Sequence, residues 1–445
     1  MGTEKEVEIS LDKTYVLPKF QMIRFKGLYL AIAPEIARWL ILKNDTQLKV
    51  LDKIVHQTPI ACLLKDFKSS QEDVIEVLTQ IEATQIETIK PKSIFNNTRL
   101  HLHLTNKCNM CCPHCYVCSN KAYDDELSTE EVKELCRNFR EIGGTVVSLT
   151  GGEPTTRSDF LEIIDYISRL DMKVSIFSNG FLWGEEMILH LVKCNIDGVQ
   201  ISIDGYNEKS NSVFRTKGSF VRALKTVDLL VRNNIHVKIA VTAPYEVLKD
   251  NQRRYIAFSR KLLEKYGNDA IEINYSYYFM PGRNINENRI KNIKRDYYRL
   301  VDEVVSAIYP NVYESSFVAN IVNSVYDSCG YGGLNVLANG DFYFCDRISD
   351  VCKIGNIREL PFAEIYRQMV LAEKAGKIDH FMPCRDCPVK YICGGGCRAE
   401  YFRNFTQMAN IDHIDYEKIK PRKCMRKDRE RIYNLMIKTY QRFYR

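Results

Sequence analysis

The sequence predicts an α/β protein in three parts. A parallel sheet of βα units occupies residues 96–310, a small winged-helix-like module precedes it (1–95), and a cysteine-rich module follows it (311–445). Three observations carry this reading. Six strand-like runs alternate with six helical stretches between 97 and 310, the rhythm of a parallel sheet with crossover helices. The first 95 residues lack that rhythm and read as a hairpin followed by short helices. Beyond residue 310 the rhythm gives way to glycine and cysteine, as in Cys329-Gly330-Tyr331-Gly332-Gly333 and Cys393-Gly394-Gly395-Gly396-Cys397.

In the first part, Val16-Leu17, Met22-Ile23 and Leu28 to Ile32 read as strands, with turn signals at Pro18-Lys19 and Lys26-Gly27. Pro34 to Leu42 reads as a short helix. Gln47 to His56 repeats Leu48, Leu51, Ile54 and Val55 at helical spacing, and Ser69 or Ser70 caps a helix carrying Val74, Ile75, Val77, Leu78 and Ile81. A hairpin with three short helices is a winged-helix pattern. Its last helix, Gln71 to Thr84, holds three Glu, one Asp and no basic residue, which argues against the phosphate-lined major groove of DNA.

In the second part the strands are expected at 99–104, 145–149, 173–177, 198–203, 236–242 and 270–277. The helices are expected at 129–142, 159–170, 184–194, 219–234 and 250–266, with another near 290–308. Ligands of such sheets sit at the carboxyl ends of the strands. In the third part, ligand spacing rather than core burial is expected to fix the backbone, and 426–445 reads as a closing helix.

The chain has 445 residues, 45% of them hydrophobic and 27% charged, as in ordinary globular proteins. No apolar run is long enough for a membrane span, and the N-terminus lacks the apolar core of a signal peptide. A cytoplasmic location is expected. The net charge of +7 is small for this length and points no further than to an acidic partner; no nucleic-acid partner is expected. Sixteen cysteines in a reducing compartment point to metal rather than disulfides. Ten have ligand spacing. The other six (Cys62, Cys111, Cys118, Cys136, Cys194 and Cys352) are expected to be small buried hydrophobes.

The most telling motif is Cys108-x3-Cys112-x2-Cys115, directly after the first strand of the sheet. A [4Fe–4S] cluster takes four ligands, so three thiolates leave one iron open. Zinc sites usually close with four protein ligands and paired C-x2-C spacing. Gly151-Gly152-Glu153-Pro154 follows the second strand, and its glycines allow close approach of backbone to a ligand. Ser178 and Asn179 end the third strand, Ser202 and Asp204 the fourth, and Arg215 follows.

The triplet spacing and the GGEP stretch resemble the radical S-adenosylmethionine (SAM) enzymes. The resemblance implies a partial (β/α)6 barrel. It also implies a cluster at Cys108, Cys112 and Cys115 whose open iron is chelated by the amino and carboxylate groups of SAM. One-electron cleavage of SAM there yields methionine and a 5′-deoxyadenosyl radical. Gly151, Gly152, Glu153, Pro154, Ser178, Asn179, Ser202 and Asp204 are implied SAM contacts, and Arg215 is the implied partner of its carboxylate.

The remaining cysteines are similar to the seven-cysteine pattern of the SPASM domain: Cys329, Cys345, Cys384-x2-Cys387-x5-Cys393-x3-Cys397 and Cys424. By resemblance, Cys329, Cys345 and Cys397 hold one auxiliary [4Fe–4S] cluster, and Cys384, Cys387, Cys393 and Cys424 close a second, three clusters in all. The first would have an open iron, with Cys352 as the rival fourth ligand; Asn323 stands where some relatives carry another cysteine. Asp346, beside Cys345, matches the general base of anaerobic sulfatase maturases.

The first part resembles the leader-peptide recognition domains of peptide-modifying radical SAM enzymes. The implied function is maturation of a ribosomally made precursor peptide through a thioether or carbon–carbon crosslink. A flavodoxin- or ferredoxin-type protein would donate the electron. Formylglycine formation and peptide epimerisation are the alternatives, and a non-enzymatic electron carrier is a third class.

Overall fold

The computed structural model describes residues 10–90, 92–93, 97–277, 282–310, 324–345, 353–402 and 424–443. The first module opens with a three-stranded antiparallel sheet, β1 (Gln21–Phe25), β2 (Leu28–Ala33) and β3 (Arg38–Leu42), in that order. Helices α1 (Asp45–Val55), α2 (Ile60–Asp66) and α3 (Gln71–Thr84) follow.

The sequence reading made 34–42 a helix. The structure makes it a single 3-10 turn (Pro34–Ile36) and a strand. The reason lies in burial on both faces. Leu40 and Leu42 pack against the module's own helices, while Trp39 and Ile41 face the other way onto the C-terminal helix. Two opposed apolar faces erase the alternation that marks a half-buried strand. The outer edge of β3 is capped from α3: the Gln80 side chain accepts from the Ile41 N–H at 2.8 Å and donates to its C=O at 3.0 Å.

The short β4 (Lys92–Ser93) leads to the main sheet. Here β5 (Arg99–Thr105), α4 (Thr129–Glu141), β6 (Val146–Gly151), α5 (Phe160–Arg169), β7 (Lys173–Ser178) and α6 (Glu185–Leu191) alternate as expected. They continue with β8 (Ile196–Ser202), the single-turn α7 (Glu208–Asn211), α8 (Ser219–Arg232), β9 (Val237–Val241), α9 (Tyr245–Tyr266), β10 (Ile271–Tyr275) and α10 (Glu287–Ile308). All six strands are parallel, in the order β10-β9-β8-β7-β6-β5. The helices show why the rhythm was readable: α5 buries Phe160, Ile163, Ile164 and Ile167 along one face. A capping box between Ser128 and Glu131 starts α4.

The cysteine-rich module departs from the expectation of ligand-fixed backbone alone. After β11 (Ser324–Val325), which pairs with β4, it adds β12 (Leu334–Val336), β13 (Asp341–Tyr343) and β14 (Gly355–Asn356) to the open edge of β5, extending the sheet to nine strands. Strands of two or three residues carry no periodicity to read. Helix α11 (Phe362–Ala375) follows, and α12 (Arg426–Phe443) closes the chain. Its Ile432, Tyr433, Met436, Ile437 and Tyr440 cover Leu30, Ile32, Trp39 and Ile41, so the last helix fastens the first module to the cysteine-rich one. No described helix is long and apolar enough to cross a membrane.

Candidate active site and cysteine clusters

A cavity of about 280 Å3 opens at the carboxyl ends of β6 to β9. Cys108, Cys112 and Cys115 line it together with Gly151, Gly152, Ser178, Asn179, Ser202, Asp204 and Arg215. Three cysteines with ligand spacing therefore meet seven of the nine residues implied as SAM contacts.

The cluster loop is built by backbone bonds. The register shifts between His103 and Thr105, where β5 ends. The Cys108 N–H then donates to Asn120 O at 3.0 Å, and Asn120 N–H donates back to Asn106 O at 3.0 Å. Glu126 accepts from the Asn106 N–H (2.6 Å), the Thr105 hydroxyl (3.0 Å) and the Tyr123 N–H (3.1 Å), closing the loop on itself. Nothing in the local sequence singled Glu126 out. Burial pushes the Cys108 thiol up to about 11 and raises Cys112 as well.

The GGEP stretch holds this loop. Gly151 N and its neighbours run so close to it that a Cβ on Gly151, at φ +125°, would lie 2.3 Å from Thr105 O. One on Gly152 would lie 2.2 Å from Lys107 O. Gly152 N–H and Glu153 N–H donate to Thr105 O and Lys107 O at 2.7 and 2.9 Å. The Glu153 carboxylate points into the protein instead of the cavity. It accepts from the Ser178 hydroxyl, the Asn179 N–H and Thr155, each within 3.3 Å, and burial raises its pKa. Its part is to tie β6 to the end of β7. Pro154 is buried at the start of a 3-10 turn and does not line the cavity. Backbone and glycine, rather than the Glu153 side chain, form this wall.

Ser178 is saturated by Glu153, Gly180 N–H and the Trp183 indole, while Asn179 Nδ2 reaches Asn109 Oδ1 at 2.8 Å, bridging β7 to the cluster loop. Asp204 is fully buried. Its Oδ2 accepts from Arg215 Nε at 2.6 Å and its Oδ1 from the Thr242 N–H at 2.8 Å. Burial works against the Arg215 cation, but Asp204 beside it outweighs this and holds its pKa above the usual value.

His114, unnoticed in the sequence, stacks on Phe214 at 4.4 Å and sits 3.5 Å from Asp204. Burial pushes its pKa down to about 4, so the ring is neutral, and its buried Nδ1 has no hydrogen-bond partner. Thr150, Phe177, Gln200 and Thr242 also line the cavity. Phe177 and Thr242 end predicted strands and Thr150 directly follows one, so these could have been found in the sequence; Gln200 lies inside the predicted strand 198–203.

The second set of cysteines also converges. Cys384, Cys387, Cys393 and Cys424 line one small pocket with Lys390, Asp428 and Arg429. Cys329 is within hydrogen-bond reach of Cys397, which with burial raises its pKa. The Arg398 N–H points at Cys329 Sγ at 3.3 Å, and Gly332 N–H donates to Phe344 O, laying the segments of Cys329 and Cys345 side by side. Arg398 is buried outright. Its guanidinium donates to Gly376 O (2.7 Å), Gly394 O (2.9 Å), Gly396 O (2.7 Å) and Asp327 O (3.2 Å), knitting the glycine run together. Among the described residues no disulfide forms. Asp346, Cys352 and Asn323 lie outside the described residues.

The expectation that the unassigned cysteines are buried holds for Cys136 alone among the described ones. Cys62, Cys111 and Cys118 are exposed, and Cys194 is half-buried, donating to Asp165 at 3.4 Å.

The donor chemistry fits the implied groups: thiols in the two spacings a cluster needs, a glycine wall and a paired guanidinium. Residues 102–252 match the family model of the radical SAM superfamily, and residues 328–388 match that of the SPASM iron–sulfur cluster-binding domain. The sheet and its cysteine triplet thus belong to a radical SAM domain. The C-terminal module carries a SPASM iron–sulfur cluster-binding domain.

Sporulation killing factor maturation protein SkfB of Bacillus subtilis (strain 168) is 36% identical over 141 residues, 32% of this chain and 34% of SkfB. The match therefore spans about a third of that relative's length. An AdoMet-dependent heme synthase of Methanosarcina barkeri (strain Fusaro / DSM 804) is 26% identical over 325 residues, 67% of this chain and 90% of the synthase. The fold matches Streptococcus suis SuiB bound to its precursor peptide SuiA with a TM-score of 0.53, at 15% identity, over 89% of this chain and 97% of SuiB.

Proposed function

We propose that this chain matures a ribosomally made precursor peptide. Cys108, Cys112 and Cys115 would hold a [4Fe–4S] cluster, which with SAM would supply the one-electron chemistry for taking a hydrogen atom from the peptide. The residues around it have separate tasks. Arg215, set by Asp204, receives the SAM carboxylate. The glycine wall admits SAM against the backbone of β6. Cys329, Cys345 and Cys397, and Cys384, Cys387, Cys393 and Cys424, would hold two auxiliary clusters able to accept the second electron. A thioether or carbon–carbon crosslink is the product we favour. Asp346 is the proposed base, a flavodoxin- or ferredoxin-type protein the proposed electron donor, and the cytoplasm the proposed location.

The observation that carries this reading is the first module. Its three strands and three helices have an acidic α3 unsuited to nucleic acid, and α12 locks them onto the cysteine-rich module. A leader-binding part fixed to the modifying part suits a substrate held at two places. SkfB is named as a maturation protein, and the SuiB structure contains a precursor peptide.

The test is anaerobic reaction of the cluster-loaded enzyme with SAM, reductant and candidate precursor peptides, read by product mass and fragmentation. Loss of a pair of hydrogens with a new linkage between side chains supports the crosslink. Conversion of a Cys or Ser to an aldehyde moves the reading to formylglycine formation. Unchanged mass in H2O with uptake of one deuterium in D2O moves it to epimerisation.

A further inference from the structure

Cys111 is the odd thiol of the cluster loop. It adjoins the ligand Cys112 in sequence, yet it does not line the cavity that Cys108, Cys112 and Cys115 share, and it is exposed. A fourth soft thiol beside a cluster with one open iron is a competent rival ligand. A turn of the peptide between Cys111 and Cys112 would exchange them, and ligation of the open iron by Cys111 would shut SAM out.

Residues 282–285 pack against this loop. Gly282 and Ile285 close a tight turn through two mutual backbone bonds, Gly282 N–H to Ile285 O at 2.9 Å and Ile285 N–H to Gly282 O at 3.3 Å. The turn is seated on the cluster loop: Arg283 N–H donates to Cys115 O at 3.1 Å and Asn284 N–H to Pro113 O at 2.8 Å. The fit leaves no room for a side chain at Gly282, where a Cβ would lie 2.8 Å from the carbonyl of His114. From this seat the Arg283 guanidinium reaches Cys111 Sγ with one nitrogen and Ser119 O with another.

We propose that Arg283 is a positioning residue for ligand choice: it pins Cys111 to the outer side of the loop, so that Cys108, Cys112 and Cys115 bind three irons and the fourth stays open to SAM. When the pin is lost, an iron–sulfur bond to Cys111 forms as its thiol proton leaves to water. It displaces either Cys112, which takes up a proton, or SAM; no electron is transferred. The proposal rests on the radical SAM assignment of this loop and is independent of the peptide substrate.

The test uses the cluster-loaded full-length enzyme under anaerobic conditions, with two readouts other than turnover. One is alkylation of cysteines by iodoacetamide, mapped by mass spectrometry. The other is the change that SAM induces in the electron paramagnetic resonance spectrum of the reduced cluster. In the wild type, Cys111 is alkylated while Cys108, Cys112 and Cys115 are protected. In Arg283→Ala, Cys111 becomes protected. The fraction of enzyme in which it displaces Cys112 shows Cys112 alkylated. The fraction in which it displaces SAM weakens apparent SAM binding by about tenfold, the scale of one lost charge-assisted bond. Arg283→Ala/Cys111→Ser restores both the protection of Cys112 and the SAM-induced spectral change. If Arg283→Ala keeps the wild-type labelling and spectral change, the proposal fails. It also fails if the double variant stays as impaired as the single one, because the turn would then serve only to support the loop.

Discussion

Arg215 Nε donates to Asp204 Oδ2 at 2.6 Å, and Oδ1 of the same carboxylate takes the Thr242 N–H at 2.8 Å. One buried carboxylate thereby joins the ends of β8 and β9 and sets the direction of the guanidinium in the cavity lined by Cys108, Cys112 and Cys115. Asp204→Asn keeps the shape but leaves a buried cation without its counter-charge. The expected cost is about 3 kcal/mol of stability, read by denaturant unfolding, together with a clear loss of SAM affinity. Arg215→Ala is expected to lose SAM affinity while the cysteines still take up iron.

Gly151 is expected to tolerate no side chain. Alanine there would meet Thr105 O at 2.3 Å, in a backbone conformation at φ +125° that side chains disfavour. Since this contact seats the loop of Cys108, Cys112 and Cys115, Gly151→Ala should lose the iron held by that loop. Iron bound by the C-terminal cysteines should remain. Iron analysis beside the same measurement on Cys112→Ala checks this: the two variants should lose equal amounts.

The cysteine-rich module is tied to α4 by Arg358, which reaches both carboxylate oxygens of Glu131 at 2.5 and 3.0 Å. The hydrogen bond from Arg358 is the main reason the Glu131 pKa drops to about 2. A lowered pKa means stability that is present above the ordinary glutamate range and lost as pH falls towards 2. The pair is about one-third exposed, so the contribution is about 1 kcal/mol at most. The melting temperature of Arg358→Ala should lie below that of the wild type at neutral pH, and the gap should close on acidification from pH ~4.5 downwards.

Cys424 stands two residues before α12, the helix whose far side covers β2 and β3. Loading of the pocket formed by Cys384, Cys387, Cys393 and Cys424 should therefore stiffen the first module from a distance. Hydrogen exchange of Leu28–Leu42 is expected to quicken in Cys424→Ser relative to the loaded wild type. Unchanged exchange there would show that α12 is held by its own packing.

The main sheet was legible because its helices carry one apolar face and its strands are bounded by turn residues; α4, α5 and α10 fall within three residues of expectation at each end. The strand Arg38–Leu42 was not, because burial on both faces removed its period. In the site, the spacing of Cys108, Cys112 and Cys115 pointed to a three-thiolate loop, whereas the grouping of the C-terminal cysteines came from the resemblance. What the sequence hid was partnership across distance. Glu153 sits in a motif that suggests ligand contact, yet its carboxylate is spent on Ser178 and Asn179. Glu126 bonds to the backbone entering the Cys108–Cys115 loop and Arg283 to the loop itself, both from distant positions in the sequence, and Arg398 ties the glycine run to Gly376 and Asp327; such bonds leave no local pattern.

The central claim is that this cavity uses SAM to take hydrogen from a bound peptide. The most direct measurement follows deuterium from a side-chain-deuterated precursor peptide into 5′-deoxyadenosine. The account predicts deuterated 5′-deoxyadenosine in the wild type and none in Cys112→Ala. Undeuterated 5′-deoxyadenosine formed at the same rate with and without every deuterated precursor tested would contradict it.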